Sequence, residues 1–145
     1  MAKLLYVETS PRKQRSASIE VARAFLDAYR QAHPGDSIKE IDVWSLDLPE
    51  FDDAAFEAKY AGIEGRERKP AQKALLVLAK GVDYSAGSPS APWDQQTPYL
   101  KVWLNSIGIT DITVLPVEKN LYGPEADRAS REAAMAEGRA LASSF

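Results

Sequence analysis

The chain has 145 residues, no cysteine, one histidine and a formal net charge of −3. That length fits a single domain, residues 1–145, burying about two-thirds of its surface on folding. The missing cysteines exclude disulfides, iron–sulfur clusters, thiolate zinc sites and cysteine nucleophiles, and a pI near 5.2 argues against a nucleic-acid binder, whose footprint is a basic face. His33 lies in AHPG at a predicted helix end, where capping or exposure is its ordinary role, so a Ser-His-Asp relay is discounted. The longest apolar run, Ala74 to Ala79, is too short to cross a bilayer, and the N-terminus has no signal core. A cytoplasmic protein with no membrane or nucleic-acid partner is expected.

The first element is an apolar strand, Leu4 to Val7, running through a polar loop into a helix that opens near Ser16. Such a junction aims unpaired N–H groups and the positive end of a helix dipole at one spot, which suits an anion. Thr9, Ser10, Ser16 and Ser18 are the candidate donors, with Arg12, Lys13 and Arg15 supplying positive potential. The plainer reading of Ser16 is an N-cap, and that of the basic loop a solvated one.

Ile19, Ala22, Phe25, Leu26 and Tyr29 recur at helical spacing, and His33-Pro34-Gly35 ends the helix. A second strand is expected over Ile38 to Val43. The stretch beyond it passes through Leu48-Pro49, turns helical near Asp52, and continues as a polar connection from Gly62 to Gln72. Asp52 and Asp53 suit a helix's first turn; as an acid–base pair they fail, because adjacent helical residues do not face each other.

Lys73 to Ala79, KALLVLA, reads as a strand buried on both faces. The long Gly/Ser/Pro-rich loop after it, GVDYSAGSPSAPWDQQ, is of a kind that is often functional. Thr97 and Pro98 suggest an N-cap and first helical position, and Tyr99, Val102, Trp103 and Ile107 are expected to face the core. Trp103 is read as core and Trp93, in the loop, stays open. A last strand, Asp111 to Val117, has Pro116 near its end, and a helix rich in small residues closes the chain. Strands alternating with helices predict an α/β domain with a parallel sheet, whose ligands bind beyond the carboxyl ends of the strands. Both the Thr9–Arg15 loop and the Lys80–Gln96 loop would open there.

Segments spread along the chain resemble the FMN-dependent NADH-azoreductases, also described as NADH:quinone oxidoreductases, which have a flavodoxin-like fold. They are Ser10 with Ser16-Ala17-Ser18, DVWSLDLPEFDDAAFEAKYAG, KALLVLAKGVDYS and DQQTPYLKVWLNSIGITDI. The resemblance implies FMN as cofactor and NADH as electron donor, with electrons passed to a quinone or azo compound in a homodimer. It also implies phosphate contacts from Ser10, Ser16, Ala17 and Ser18. Ring contacts would come from Ala79, Lys80, Gly81 and Val82, and a substrate or dimer contact from Tyr84. Because the cofactor carries the hard chemistry, no catalytic side chain or metal is expected.

Family members run to about 200 residues, still one domain. Here RERKPAQ meets KALLVLA directly, so the family's third strand and its Met-Tyr-Asn-Phe type loop have no counterpart. Ala79-Lys80-Gly81-Val82 also stands where the family usually has Ser-Arg-Gly-Gly, and Val82 adopts positive φ less readily than glycine. The expected architecture is a flavodoxin-like parallel sheet with helices on both faces, shortened to four strands. Either Leu4 to Val7 pairs with Leu75 to Ala79 in the order 2-1-4-5, or another chain covers those edges. The alternative function is a shortened, non-catalytic binding or structural member.

Overall fold

The computed structural model describes residues 2–47, 73–106 and 108–145. Strand β1, Lys3–Glu8, alternates as a half-buried strand does: Leu4 and Tyr6 pack toward the first helix, while Leu5 and Val7 remain exposed. A short 3-10 turn, Lys13–Arg15, leads into helix α1, Ala17–Ala32, whose buried face is Ala17, Ile19, Val21, Ala22, Phe25, Leu26 and Tyr29. His33 ends α1 as predicted; its Nε2 lies 3.0 Å from the Ala142 carbonyl and so ties the helix to the chain's C-terminal end.

Strand β2, Ser37–Asp42, pairs parallel with β1, Leu4 standing opposite Ile38 and Val7 opposite Ile41. Strand β3, Lys73–Ala79, pairs parallel with β4, Asp111–Val117, from Lys73 opposite Asp111 to Ala79 opposite Val117. Helix α2, Gln96–Ser106, lies between these two strands in sequence, and α3, Pro124–Leu141, closes the fold.

The packing along α1 shows how the two strand pairs are oriented. Its first turns, Ala17 and Val21, cluster with Val77, Leu115, Val117 and Ala134. Its later turns, Phe25, Leu26 and Tyr29, cluster with Leu4, Ile38 and Ala142. The carboxyl ends of β3 and β4 therefore lie toward the start of α1, the end at which β1 also finishes. Among the described residues Leu26, Leu115, Val21 and Val117 are the largest fully buried side chains, each contributing about 1.5–3 kcal/mol by burial. At Gly138 of α3 a β-carbon would stand 3.3 Å from Leu115 Cδ2 and 3.5 Å from Phe25 Cβ, so the missing side chain permits close approach to α1.

Three expectations are corrected. Among the described residues the strands form two separate two-stranded sheets, β1–β2 and β3–β4, and Leu4–Val7 does not pair with Leu75–Ala79 as the order 2-1-4-5 required. Both pairs are held against α1 by apolar burial, which is non-directional and imposes no ladder between β1 and β3. Strand β3 is only half-buried, Leu78 being its one buried residue. On α2, Tyr99, Val102 and Trp103 are exposed rather than turned into the core, because helical spacing sets which side is apolar without supplying a surface to cover it. The expected helix near Asp52, the connection from Gly62 to Gln72 and Ile107 lie outside the described residues.

Candidate functional site

The first loop begins where β1 ends. Glu8, the last residue of β1, is buried, and its carboxylate accepts from Tyr6 Oη at 3.3 Å and Arg23 Nη2 at 3.2 Å. Lys13 Nζ lies 3.6 Å from the other Glu8 oxygen and pairs with Asp42 at the end of β2. Lys13 takes a left-handed backbone, φ 49°, a conformation that costs a non-glycine residue about 1–3 kcal/mol. Burial, followed by the Glu8 charge, pushes the Tyr6 phenol up to about 12. Trp44 Nε1 donates to the Thr9 carbonyl at 2.8 Å and so fastens the loop to the end of β2.

Ser16 caps α1: its Oγ accepts the Ile19 N–H at 3.4 Å, and its carbonyl accepts the Glu20 N–H at 3.1 Å. Ser18 Oγ lies 3.1 Å from Ser16 Oγ. The N–H groups of Ala17 and Ser18 have no acceptor among the described residues, as the first turn of a helix requires. Ser10 is turned to its own loop, its Oγ accepting the Arg12 N–H at 3.4 Å. Thus Ser16, Ala17 and Ser18 converge at the positive end of a sixteen-residue helix, whereas the Lys13 charge is committed to Glu8 and Asp42. The basic side chains of Arg12 and Arg15 remain exposed.

The second loop leaves β3 beside β4. Lys80 N–H donates to the Val117 carbonyl at 2.9 Å, Asn120 N–H to the Lys80 carbonyl at 3.2 Å and Leu121 N–H to the Gly81 carbonyl at 2.9 Å. The two strand-end loops are thereby zipped together. Ala79 is exposed, but Lys80 turns inward and is only 7 % exposed. Its ammonium meets Asp94 Oδ2 at 2.6 Å, Thr97 Oγ1 at 2.9 Å and Glu118 Oε1 at 3.5 Å, and lies 5.4 Å from the centre of the Tyr84 ring. Glu118 Oε2 also accepts the Tyr84 N–H at 3.2 Å. Burial raises the Asp94 carboxyl, but Lys80 and the Thr97 hydroxyl and N–H outweigh it and hold Asp94 at about 2. Farther out, the Ser85 hydroxyl and N–H, with Lys119, hold the Asp83 carboxyl at about 2.

These contacts give the residues of this loop partners within the protein. Lys80 offers its charge to two carboxylates within the protein, Asp94 and Glu118. At Gly81 the neighbouring side chain is Leu121, whose Cδ1 would stand 2.7 Å from a Gly81 β-carbon. Tyr84 lends its ring face to Lys80 and its N–H to Glu118. Helix α2 begins one residue before Thr97, and the Asp94 carboxylate supplies the cap, Oδ1 accepting the Thr97 N–H at 3.1 Å. Sequence reasoning missed Glu8, Asp94, Glu118 and Leu121. Asp94 alone left a local signal, an acidic residue three positions before the helix-start Thr97.

A sequence model described as the flavodoxin-like fold matches residues 2–74 and 55–141. An FMN-dependent NADH:quinone oxidoreductase of Burkholderia lata is 33% identical over 211 aligned positions, covering 100% of each chain. Since 211 positions exceed the 145 residues present, that alignment is interrupted on this chain's side. An FMN-dependent NADH:quinone oxidoreductase of Nitratidesulfovibrio vulgaris is 30% identical, again with 100% of each covered. Among solved structures, an azoreductase from Bacillus anthracis superposes with a TM-score of 0.80 at 19% identity over 100% of both chains. An FMN-dependent NADH-azoreductase from Bacillus anthracis in complex with FMN gives 0.71 at 15% identity, covering 98% of this chain and 100% of its own.

Proposed function

The chain belongs to the flavodoxin-like family of FMN-dependent NADH:quinone oxidoreductases, and from that membership we infer that it passes electrons from NADH to a quinone or azo compound by way of bound FMN. The observation that carries the reading is the pair of N–H groups on Ala17 and Ser18 that have no acceptor among the described residues, beside the Ser18 hydroxyl at the start of α1. A phosphate monoester presents the acceptor oxygens these donors lack, and the helix dipole favours its charge. Ser16 orders the turn as cap, Ser18 and the two N–H groups would hold the phosphate, and Ser10 would border it.

At the other end, Ala79, Lys80, Gly81 and Val82 would provide the ring-side loop, with backbone from Gly81 onward nearest the ring. When bound, FMN supplies the redox chemistry, holding the electron pair of a hydride between donor and acceptor. The protein's part is to bind, orient and shield: α1 grips the anion, and the zipped loops after β3 and β4 present a fixed backbone edge. Over the whole reaction NADH loses a hydride, and the acceptor gains that electron pair together with protons.

We further infer one domain over residues 1–145, a homodimer and a cytoplasmic setting, where NADH is available. The apolar surface of Tyr99, Val102 and Trp103 on α2, with the exposed Trp93 in the loop before it, supports the homodimer, and Tyr84 near this loop would then border the substrate. Among the described residues no helix is long and apolar enough to cross a membrane.

The test is FMN titration followed by NADH turnover with a quinone. Saturable uptake with flavin absorbance, and NADH oxidation that depends on the quinone, are expected. A folded, colourless protein that neither takes up FMN nor oxidises NADH would overturn the reading and favour a non-catalytic binding or structural domain. The separation of β1 from β3 is the observation that gives this second reading its weight.

A further inference from the structure

Lys80 and its partners form an internal clamp. One carboxylate, Asp94, performs two tasks with its two oxygens: Oδ2 takes the Lys80 ammonium at 2.6 Å, and Oδ1 takes the Thr97 N–H at 3.1 Å. Thr97 closes the triangle, its Oγ1 lying 2.9 Å from Lys80 Nζ. Glu118, just beyond β4, completes the cluster and reaches the Tyr84 backbone. The end of β3, the first turn of α2 and the end of β4 are thus joined through a single buried ammonium. Between Lys80 and Asp94 the chain describes an arc fastened at its near side to the loop after β4. Asp94 fastens its far side.

Exposed ion pairs contribute little, but a buried charge that loses a partner is left uncompensated. Lys80 is buried and faces two carboxylates, so neutralising Asp94 leaves Glu118 as its counter-ion, whereas removing the ammonium leaves two carboxylates facing each other.

We propose that Asp94 is a positioning residue: holding Lys80 with one oxygen and the first turn of α2 with the other, it fixes the Gly81–Tyr84 backbone that would border the flavin ring. The proposal rests on the flavin reading above. It assigns Lys80, predicted as a cofactor contact, to the support of that loop.

The test compares the full chain with Asp94→Asn, which keeps a cap acceptor and removes the charge, with Lys80→Met, and with the double variant. Amide hydrogen exchange is followed in FMN-free protein, and FMN affinity and the visible circular dichroism of bound FMN are measured alongside. For Asp94→Asn, exchange at Tyr84, Asn120 and Leu121, whose N–H groups are hydrogen-bonded in the zipped loops, and the FMN dissociation constant are each expected to rise about tenfold, the scale of a single lost buried contact. The flavin dichroism should change, and exchange at Ser16–Ser18 should not. Lys80→Met should exceed Asp94→Asn, and the double variant should be no worse than Lys80→Met alone. If Asp94→Asn does not fold, Asp94→Glu carries the comparison: retained affinity and dichroism support the positioning role, and their loss overturns it. Unaltered exchange in Asp94→Asn, or faster exchange with unchanged affinity and dichroism, overturns it as well. Wild-type protein that takes up no FMN would instead overturn the flavin reading itself, and the ring-side role with it.

Discussion

Leu121 lies against Gly81 so closely that a β-carbon on Gly81 would stand 2.7 Å from Leu121 Cδ1, while the Leu121 N–H donates to the Gly81 carbonyl at 2.9 Å. The colliding atom is the end of a flexible side chain that is itself 79 % exposed, so it can swing outward. Gly81→Ala is therefore expected to alter unfolding free energy by less than about 1 kcal/mol, whereas Gly81→Val, which carries more bulk into the zipped backbone, costs about 1–3 kcal/mol. Urea unfolding of the two variants, and of Gly81→Val combined with Leu121→Ala, checks this. Restored stability in the double variant identifies Leu121 as the clash.

The two serines at the start of α1 should separate in experiment. Ser16→Ala removes a cap and is expected to cost about 1 kcal/mol of stability. Ser18→Ala leaves the cap in place, so stability stays within about 0.5 kcal/mol. FMN affinity should nonetheless fall about tenfold on loss of a hydroxyl that meets a charged phosphate. Chemical denaturation and flavin titration of both variants provide the comparison, and equal effects of the two on stability would contradict the assigned roles.

Acid should loosen the clamp. The folded-state carboxyl of Asp94 lies at about 2, below its ordinary 3.8, so its contribution to stability is fully present above pH 3.8 and is lost as pH falls toward 2. Asp83 behaves in the same way, also moving from 3.8 to about 2. Asp94→Asn should flatten the dependence of melting temperature on pH in this window while leaving the Asp83 part. An unchanged profile in Asp94→Asn would show that the carboxylate is not ionised against Lys80.

Glu8 raises Tyr6 by its charge, after burial. Glu8→Gln removes that charge and keeps the shape, so the Tyr6 phenol should move from about 12 toward 10 without reaching it, because burial persists. NMR titration of the Tyr6 ring reads this directly. The same substitution should cost about 1–2 kcal/mol, reduced from the value for a fully buried pair because Lys13 and Arg23 are solvated.

Much of the frame was readable from residue pattern. The apolar run Lys73 to Ala79 and the run Asp111 to Val117 are strands over those same residues, and the breaker at His33-Pro34-Gly35 ends α1 where expected. Ser16 was readable as a cap because capping is local, spanning Ser16 to Ile19. The inward turn of Lys80 was not readable. Its partners Asp94, Thr97 and Glu118 are remote in sequence, and a lysine after an apolar strand looks the same whether its ammonium meets solvent or a carboxylate.

Sequence alone determined the order of the described elements, the parallel α/β class, the Ser16 cap of α1 and the family, since each rests on local periodicity, capping chemistry or segments matched in order. Tertiary structure decided which charges neutralise one another and which strands share a ladder. Lys13 goes to Glu8 and Asp42, Lys80 goes to Asp94 and Glu118, and β1 and β3 lie in separate strand pairs over α1. The physical reason is that apolar burial needs only a matching face, whereas ion pairs and ladders need particular atoms brought within about 3 Å by folding.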